Sequence, residues 1–350
     1  MSARMSARRG DGHEVLDPRF DPEPVYWTAL RKRAGLRADW SWDVLAVQAW
    51  CARTPQYVTV LHEGGEQTGV VACAWVGTPT RRHRFAGSAR GGRIGGLDVR
   101  SPNSSAVPGW WFAGAGPDGG CRELLDRYLP LMRSRLGPGL RVLLARQLGE
   151  AGVSEVDGRF RLVRRTEDVG RIDLDGFSSE DDWTSTLRKK RRQSLHKIAA
   201  TIAADPAVEV RVGALAGADP VEAAALMRYN SDKHRDVPIV PLPQFGGYLE
   251  RLFGQPDVLG VRYLDGSTGR LLALGLIFDH PQWPVLRSWS ALPGHLGGRR
   301  DLYFDVYREF VSWGIRSGKD GLILGKKMAE LKRTLGAQLV PQYAAAIPVR

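Results

Sequence analysis

Membrane-length apolar runs are missing from these 350 residues. No stretch approaches the ~20 apolar residues that a membrane-crossing helix needs. Cysteine is scarce: Cys51, Cys73 and Cys121 are widely spaced and form no CxxC pair. A disulfide framework or a thiolate zinc site is therefore not expected, and the three read as reduced, buried thiols of a cytoplasmic protein. No His/Cys/Asp cluster has metal-ligand spacing, so no metal is expected. GxSxG and Walker A patterns are absent too, which removes the usual hydrolase and P-loop signatures. Acidic residues are outnumbered, 38 against 50 Lys and Arg, giving a formal charge of +12. Such a balance favours a polyanionic partner or substrate: nucleic acid, a nucleotide-linked precursor or an anionic surface.

What is present points to a globular α/β chain. Hydrophobic residues make up 43% of it, enough for sizeable cores in two domains of ordinary size. Residues 1–24 are polar and rich in Arg, Gly and Pro, and carry no apolar segment of the secretory kind. They read as a disordered tail, with folded structure starting near Val25. Two similar halves follow, 25–175 and 176–350. Each runs through helices, a β-hairpin, further strands, a long helix and closing strands. Residues 69–76 correspond to 270–278, and 121–136 to 300–317, as in a duplicated α/β unit. Pro130 should kink or divide the first of those long helices. A second long helix is expected over 183–204, and a single last strand over 338–347.

Residues 320–336, DGLILGKKMAELKRTLG, organise the second half. Leu322, Ile323 and Leu324 form a short strand, Gly325 breaks it, and a helical turn carries Lys332 before Gly336 stops it. A lysine just past a buried strand end stands where chemistry collects in α/β sheets. Read by spacing alone, Lys326, Lys327, Lys332 and Arg333 are one solvated face. The stretch resembles the strand, glycine break and aromatic-Lys-x-x-aromatic-Gly close of the FemABX-like acyltransferases of the GNAT superfamily. Here the close is Leu331-Lys332-Arg333-Thr334-Leu335-Gly336, with leucines in place of both aromatics. The resemblance covers residues 183–350 well and the first half loosely.

That resemblance implies two tandem GNAT-like domains, each a mixed, mainly antiparallel sheet flanked by helices. It implies an acyltransferase with Lys332 as the electrostatic catalytic group, stabilising a developing oxyanion. Arg188, Lys189, Lys190, Arg191 and Arg192 are a solvated face or a phosphate-contacting element, and similar placement in relatives favours the second. Gly297, Gly298, Arg299 and Arg300 open a helix, a place suited to an anion. The spacing of the usual coenzyme A pyrophosphate loop is not kept there, nor in the Gly-rich stretch 90–96. Tyr229, Asp232, His234 and Arg235 are acceptor contacts or a plain polar helix end. Trp110, Trp111, Trp283 and Trp289 line a cleft or fill cores. No tightly bound cofactor is expected. The expected co-substrate is aminoacyl-tRNA, with acyl-CoA as the alternative donor. The expected acceptor is a cell-wall precursor or a small secondary-metabolite amine, and the chain is expected to be a monomer. A non-catalytic nucleic-acid-binding module on the same scaffold is the other class of reading.

Overall fold

The computed structural model describes residues 12–52, 54–78, 94–116, 119–156, 158, 161–234 and 246–349. Expectations for residues 1–11, for 90–93 and for Arg235 lie outside the described residues. The strands, in chain order, are β1 (Gly12–Leu16), β2 (Gln56–Glu63), β3 (Glu66–Thr78), β4 (Ile94–Val99), β5 (Trp110–Phe112), β6 (Leu140–Leu148), β7 (Leu162–Arg165), β8 (Val169–Asp173), β9 (Val208–Ala214), β10 (Val258–Asp265), β11 (Leu271–Phe278), β12 (Val285–Ala291), β13 (Gly321–Ile323), β14 (Gln338–Val340) and β15 (Tyr343–Pro348). They form two sheets, ordered β1-β2-β3-β4-β6-β15-β7 and β14-β8-β13-β12-β11-β10-β9, with β5 paired to β3.

With the second order read in reverse, the two match position by position, so the duplicated plan expected from the sequence is present in space. Each sheet is mainly antiparallel, with one parallel pair: β4 with β6, and β12 with β13. A long helix links each parallel pair. In the first half Cys121–Glu123 and Leu129–Leu136 are joined through a wider π turn, Leu124–Tyr128. Pro130 has no N–H for the ordinary i−4 bond, and a wide turn just before it takes up the loss without a break in the helix. Its counterpart is the helix Leu302–Arg316.

Three expectations fail, each for a local reason. The expected tail begins folded structure early: β1 pairs with β2 from Gly12↔His62 to Leu16↔Val58. Asp17 and Arg19 close the turn after it, a buried pair at 2.7 Å. The helix expected over 183–204 is two helices, Glu180–Ser185 and Lys189–Ala203. Finally, the expected last strand splits at Pro341. Its first part, β14, pairs with β8 in the second sheet, and its second, β15, pairs with β6 and β7 in the first. Pro341 cannot donate to a ladder, so the chain leaves one sheet there and joins the other. The opposite crossing, residues 166–168, runs alongside, tied by Thr166 N donating to Gln342 O at 2.7 Å. Sheet membership therefore changes at 166–168 and again at Pro341, and not at 175.

β11, LLALGLIF, is buried at every position. A strand apolar on both faces needs cover on both. The helices Lys189–Ala203 and Leu302–Arg316 pack on one side, through Leu195, Ile198, Val306 and Phe310. Pro220–Lys233 and Gly246–Phe253 pack on the other, through Leu226, Met227, Tyr248 and Leu252. Truncating the fully buried Phe310 to alanine would cost about 3–5 kcal/mol.

Candidate functional site

The parallel pairs of the two sheets differ in one respect. β4 and β6 stay paired from Gly95↔Leu140 to Val99↔Ala145, with one register shift between Gly95 and Gly96. β12 and β13 meet at Val285↔Ile323, where Ile323 N donates to Pro284 O at 2.9 Å. Among the described residues no pairing between them continues past that point. β12 runs on to Ala291, while the other strand turns away at Gly325, whose φ of 71° suits glycine. A cleft of about 660 Å³ lies beside the diverging strands. The first sheet's parallel pair stays zipped along its length.

Lys332 stands at the base of this cleft. Its ammonium donates to the carbonyl oxygens of Gly325 (2.8 Å) and Lys326 (2.7 Å). The side chain is 2% exposed, its stem lying over Gly170 of β8. Burial lowers its pKa from 10.5 to about 8, against a partial upward pull from Glu167. Lys326 is lowered for the same reason, and its Nζ reaches Thr166 Oγ1 at 3.3 Å. So the lysine face expected from spacing is divided. Lys332 and Lys326 turn inward, whereas Arg333 stays at the surface and pairs with Glu330.

Backbone strain gathers here. Among the described residues four non-glycines have left-handed φ, and three of them, Asp301, Lys327 and Met328, line the cleft. Each such residue costs of order 1 kcal/mol, and strain of this kind collects at functional sites. Asp301 begins the helix Leu302–Arg316, and its side chain makes no capping bond. Trp289 of β12, Tyr303 and Tyr307 form the aromatic wall, with the two tyrosine hydroxyls 2.8 Å apart. Arg287 also lines the cleft. It donates to Asn103 Oδ1 at 2.6 Å, while its Nε and the Ser288 hydroxyl are buried without partners. Burial lowers the pKa of Arg287. Six Lys and Arg line the cleft, against Glu167 and Asp301. The cleft is therefore cationic.

The expected donor residues fall into two sets. Arg299 lines the cleft but is committed to Asp205, at 3.0 Å, and to the carbonyl of Gly297. Gly297 and Gly298 shape the loop before it: a Cβ at Gly298 would stand 1.9 Å from the Leu292 carbonyl oxygen. Arg300 is exposed. The basic cluster lies outside the cleft wall, at the N-terminal end of Lys189–Ala203. Arg188, Lys189 and Lys190 are exposed, Arg191 covers the ring of Phe304 at 4.7 Å, and Arg192 donates to Ser185 O. Phe304 adjoins Tyr303, so the cluster flanks the cleft's helix end.

Of the expected acceptor residues, His234 lines the cleft, and Tyr229 and Asp232 do not. Asp232 faces Arg228 at 3.6 Å on the open side. Helical spacing explains the split. Asn230, Lys233 and His234 share one side at i, i+3 and i+4, whereas Tyr229 and Asp232 lie on the neighbouring side. Sequence reasoning also missed Arg287, Ser104, Ser105 and Glu167. A charge inside the apolar strand VLRSWSA was the available signal for Arg287. The other three arrive from the first half and the crossing segment, and no local pattern marks them. Among the described residues no group of His, Cys, Asp and Glu could hold a metal ion.

No family model and no curated protein matches the sequence. Solved structures do match the fold. The C-terminal domain of a candidate lysylphosphatidylglycerol synthetase from Agrobacterium fabrum aligns over 91% of this chain and 90% of its own, with 13% identity and a TM-score of 0.58. FemX aligns over 85% and 90%, with 7% identity and a TM-score of 0.51. L-PGS from Bacillus licheniformis aligns over 81% and 82%, with 12% identity and a TM-score of 0.50. At such identities the likeness is one of fold alone: two mixed, mainly antiparallel sheets flanked by helices, the architecture expected from the sequence.

Proposed function

We propose that the protein is an acyltransferase that forms an amide bond on an acceptor amine. The aminoacyl group comes from aminoacyl-tRNA and passes to a cell-wall precursor or a small secondary-metabolite amine. The observation that carries this reading is the cationic cleft beside the diverging β12 and β13, with the buried Lys332 at its base. A transfer of this kind needs two reactants held together and a charge placed where the carbonyl oxygen turns negative. The amine nitrogen attacks the ester carbonyl carbon. The C–O bond to the terminal ribose then breaks, and the amine's proton leaves with that oxygen or with water. Two of the three protons of the Lys332 ammonium are held by Gly325 and Lys326, and the reading assigns the third to the oxyanion.

The choice of donor rests on the loop before Leu302–Arg316. A coenzyme A pyrophosphate would need that helix N-terminus, where Asp301 places a carboxylate and Arg299 is already paired. Like charge at the phosphate's place argues against acyl-CoA. The five cations from Arg188 to Arg192 sit at a helix N-terminus with no acidic residue in its first turn. Their repulsion there would be relieved by a polyphosphate backbone beside the cleft.

Binding of charged tRNA, uncharged tRNA and acetyl-CoA, each titrated over salt, tests the reading. A salt-sensitive preference for charged tRNA is expected. Equal affinity for both tRNA forms would favour the binding-module reading, and saturable acetyl-CoA binding alone would replace the donor.

A further inference from the structure

A second cavity, of about 510 Å³, lies apart from the cleft. The two share a wall, the small cluster of Ala106, Val107, Val285 and Ile323. Ala106 and Val285 face the cleft, and Val107 and Ile323 face the second cavity. Its volume is within the range of small-molecule sites, roughly 300–1,000 Å³. Nothing in the transfer reading uses it.

Its lining joins aromatic rings to cations. Trp40, Trp110, Trp111 and Trp283 all contribute. The Trp283 indole lies directly over Gly321, where a Cβ would stand 2.2 Å from the ring, so β13 must carry glycine for that wall to form. Arg37 lies among these rings. It donates one Nη–H to the Trp283 carbonyl at 2.6 Å, and its Nε is closed to solvent with no partner in the protein. Burial draws its pKa down to about 10, with Asp39 opposing and Arg171 reinforcing that shift. Arg171, Lys32 and Arg33 line the same cavity, and Arg33 sits 5.9 Å from the centre of the Trp111 ring. His280 adds a neutral donor. Its Nδ1 accepts from the backbone N–H groups of Gln282 (3.1 Å) and Trp283 (2.9 Å), which leaves the proton on Nε2. Asp39 is the one carboxylate of the lining. Its Oδ2 is taken by Ser101 and Asn103, and its Oδ1 is buried without a partner.

We propose that this cavity is a second ligand site, which takes an aromatic ring carrying a compact anion, a phosphate or a carboxylate. The ring lies between the tryptophans, and the anion meets the cationic side chains of the lining, Lys32, Arg33, Arg37 and Arg171. The rings supply stacking area, and Arg37 supplies a charge-assisted bond. A bare anion would lose the first and a neutral ring the second.

Calorimetric titration of the full chain with phenyl phosphate, benzoate, phenol and inorganic phosphate tests the proposal without any turnover. Phenyl phosphate or benzoate should bind saturably with 1:1 stoichiometry, at least about tenfold more tightly than phenol and inorganic phosphate. The tighter of the two identifies the anion. Arg37→Gln should weaken that binding by about tenfold or more. Because Arg37 also ties down the Trp283 carbonyl, a variant that fails to fold is replaced by Gly116→Trp. Gly116 lines the cavity, and a Cβ there meets nothing within 4 Å, so the bulky ring should obstruct the cavity without loss of fold. The proposal is overturned if no probe binds saturably, or if all bind alike. Binding that persists unchanged in the folded variant overturns it too.

Discussion

Gly170 and Lys332 are fitted to each other: a Cβ on Gly170 would stand 2.9 Å from Cδ of Lys332. Gly170 N donates to Gly325 O, and Gly170 O accepts from Leu324 N, so the same glycine also anchors the turn that the ammonium grips. The side-chain stem is packed tightly, and the charge is held by two carbonyls. The position of that ammonium is thus set by a residue outside the cleft lining.

Gly170→Ala is therefore predicted to impair the site from beneath. A methyl group so close to the stem must displace it, at about 1–3 kcal/mol. We expect transfer activity to fall by about tenfold or more with donor affinity little changed, since the misplacement acts on the transition state. Rates and donor titrations on the same preparation check this, and an unaltered kcat would separate Lys332's position from turnover.

Lys332 should also set an alkaline limit. Its folded pKa of about 8 lies below its ordinary 10.5. Between those values the unfolded chain keeps a proton that the folded one has released, so this group's contribution to stability rises with pH across the window. Its charge is lost over the same rise, so kcat/KM should fall above about pH 8 while thermal stability does not. Lys332→Arg stays protonated throughout and should lack that fall, whatever its residual rate. A descending limb identical in the arginine variant would assign the limit to another group.

Met328→Gly tests the strained turn. Met328 has φ 54° and an exposed side chain. Glycine there relieves the left-handed penalty, and we expect the folded state to gain about 1 kcal/mol by denaturant titration. Activity should drop, because the turn that presents Lys326 and Lys332 loses its stiffness. A variant that is both less stable and fully active would contradict this view of the turn.

Neutralising the exposed Arg188, Lys189 and Lys190 to glutamine should weaken tRNA binding and flatten its dependence on salt by roughly 2–3 in log–log slope. Acetyl-CoA binding should not respond. Both effects can be read from filter-binding titrations at several ionic strengths.

Much of the fold was legible because its signals are local. Leu302–Arg316 has a repeating apolar side, and Gly318 follows it. The strand, Gly325 and Lys332 are legible in order within residues 320–336. What escaped was non-local. The split at Pro341 sends two halves of one apparent strand into different sheets, and only the finished sheets reveal it. Arg287 looked like one residue of a strand, since its partner Asn103 lies 184 positions away. The side of Pro220–Lys233 that faces the cleft depended on a rotation of about one residue, finer than periodicity can fix in a helix with several polar positions. The aromatic strands were readable as strands, but their division between two cavities was not: Trp289 lines the cleft, whereas Trp110, Trp111 and Trp283 line the second cavity.

The most direct test follows product. Bulk tRNA charged with radiolabelled amino acids is mixed with the protein and a panel of amine acceptors, and label is followed from tRNA into acid-stable amide. The account predicts acceptor-dependent transfer from charged tRNA, none from labelled acetyl-CoA, and a loss of about a hundredfold or more in Lys332→Ala with tRNA binding retained. Transfer from acetyl-CoA instead, or transfer from tRNA at an undiminished rate in the alanine variant, would contradict it.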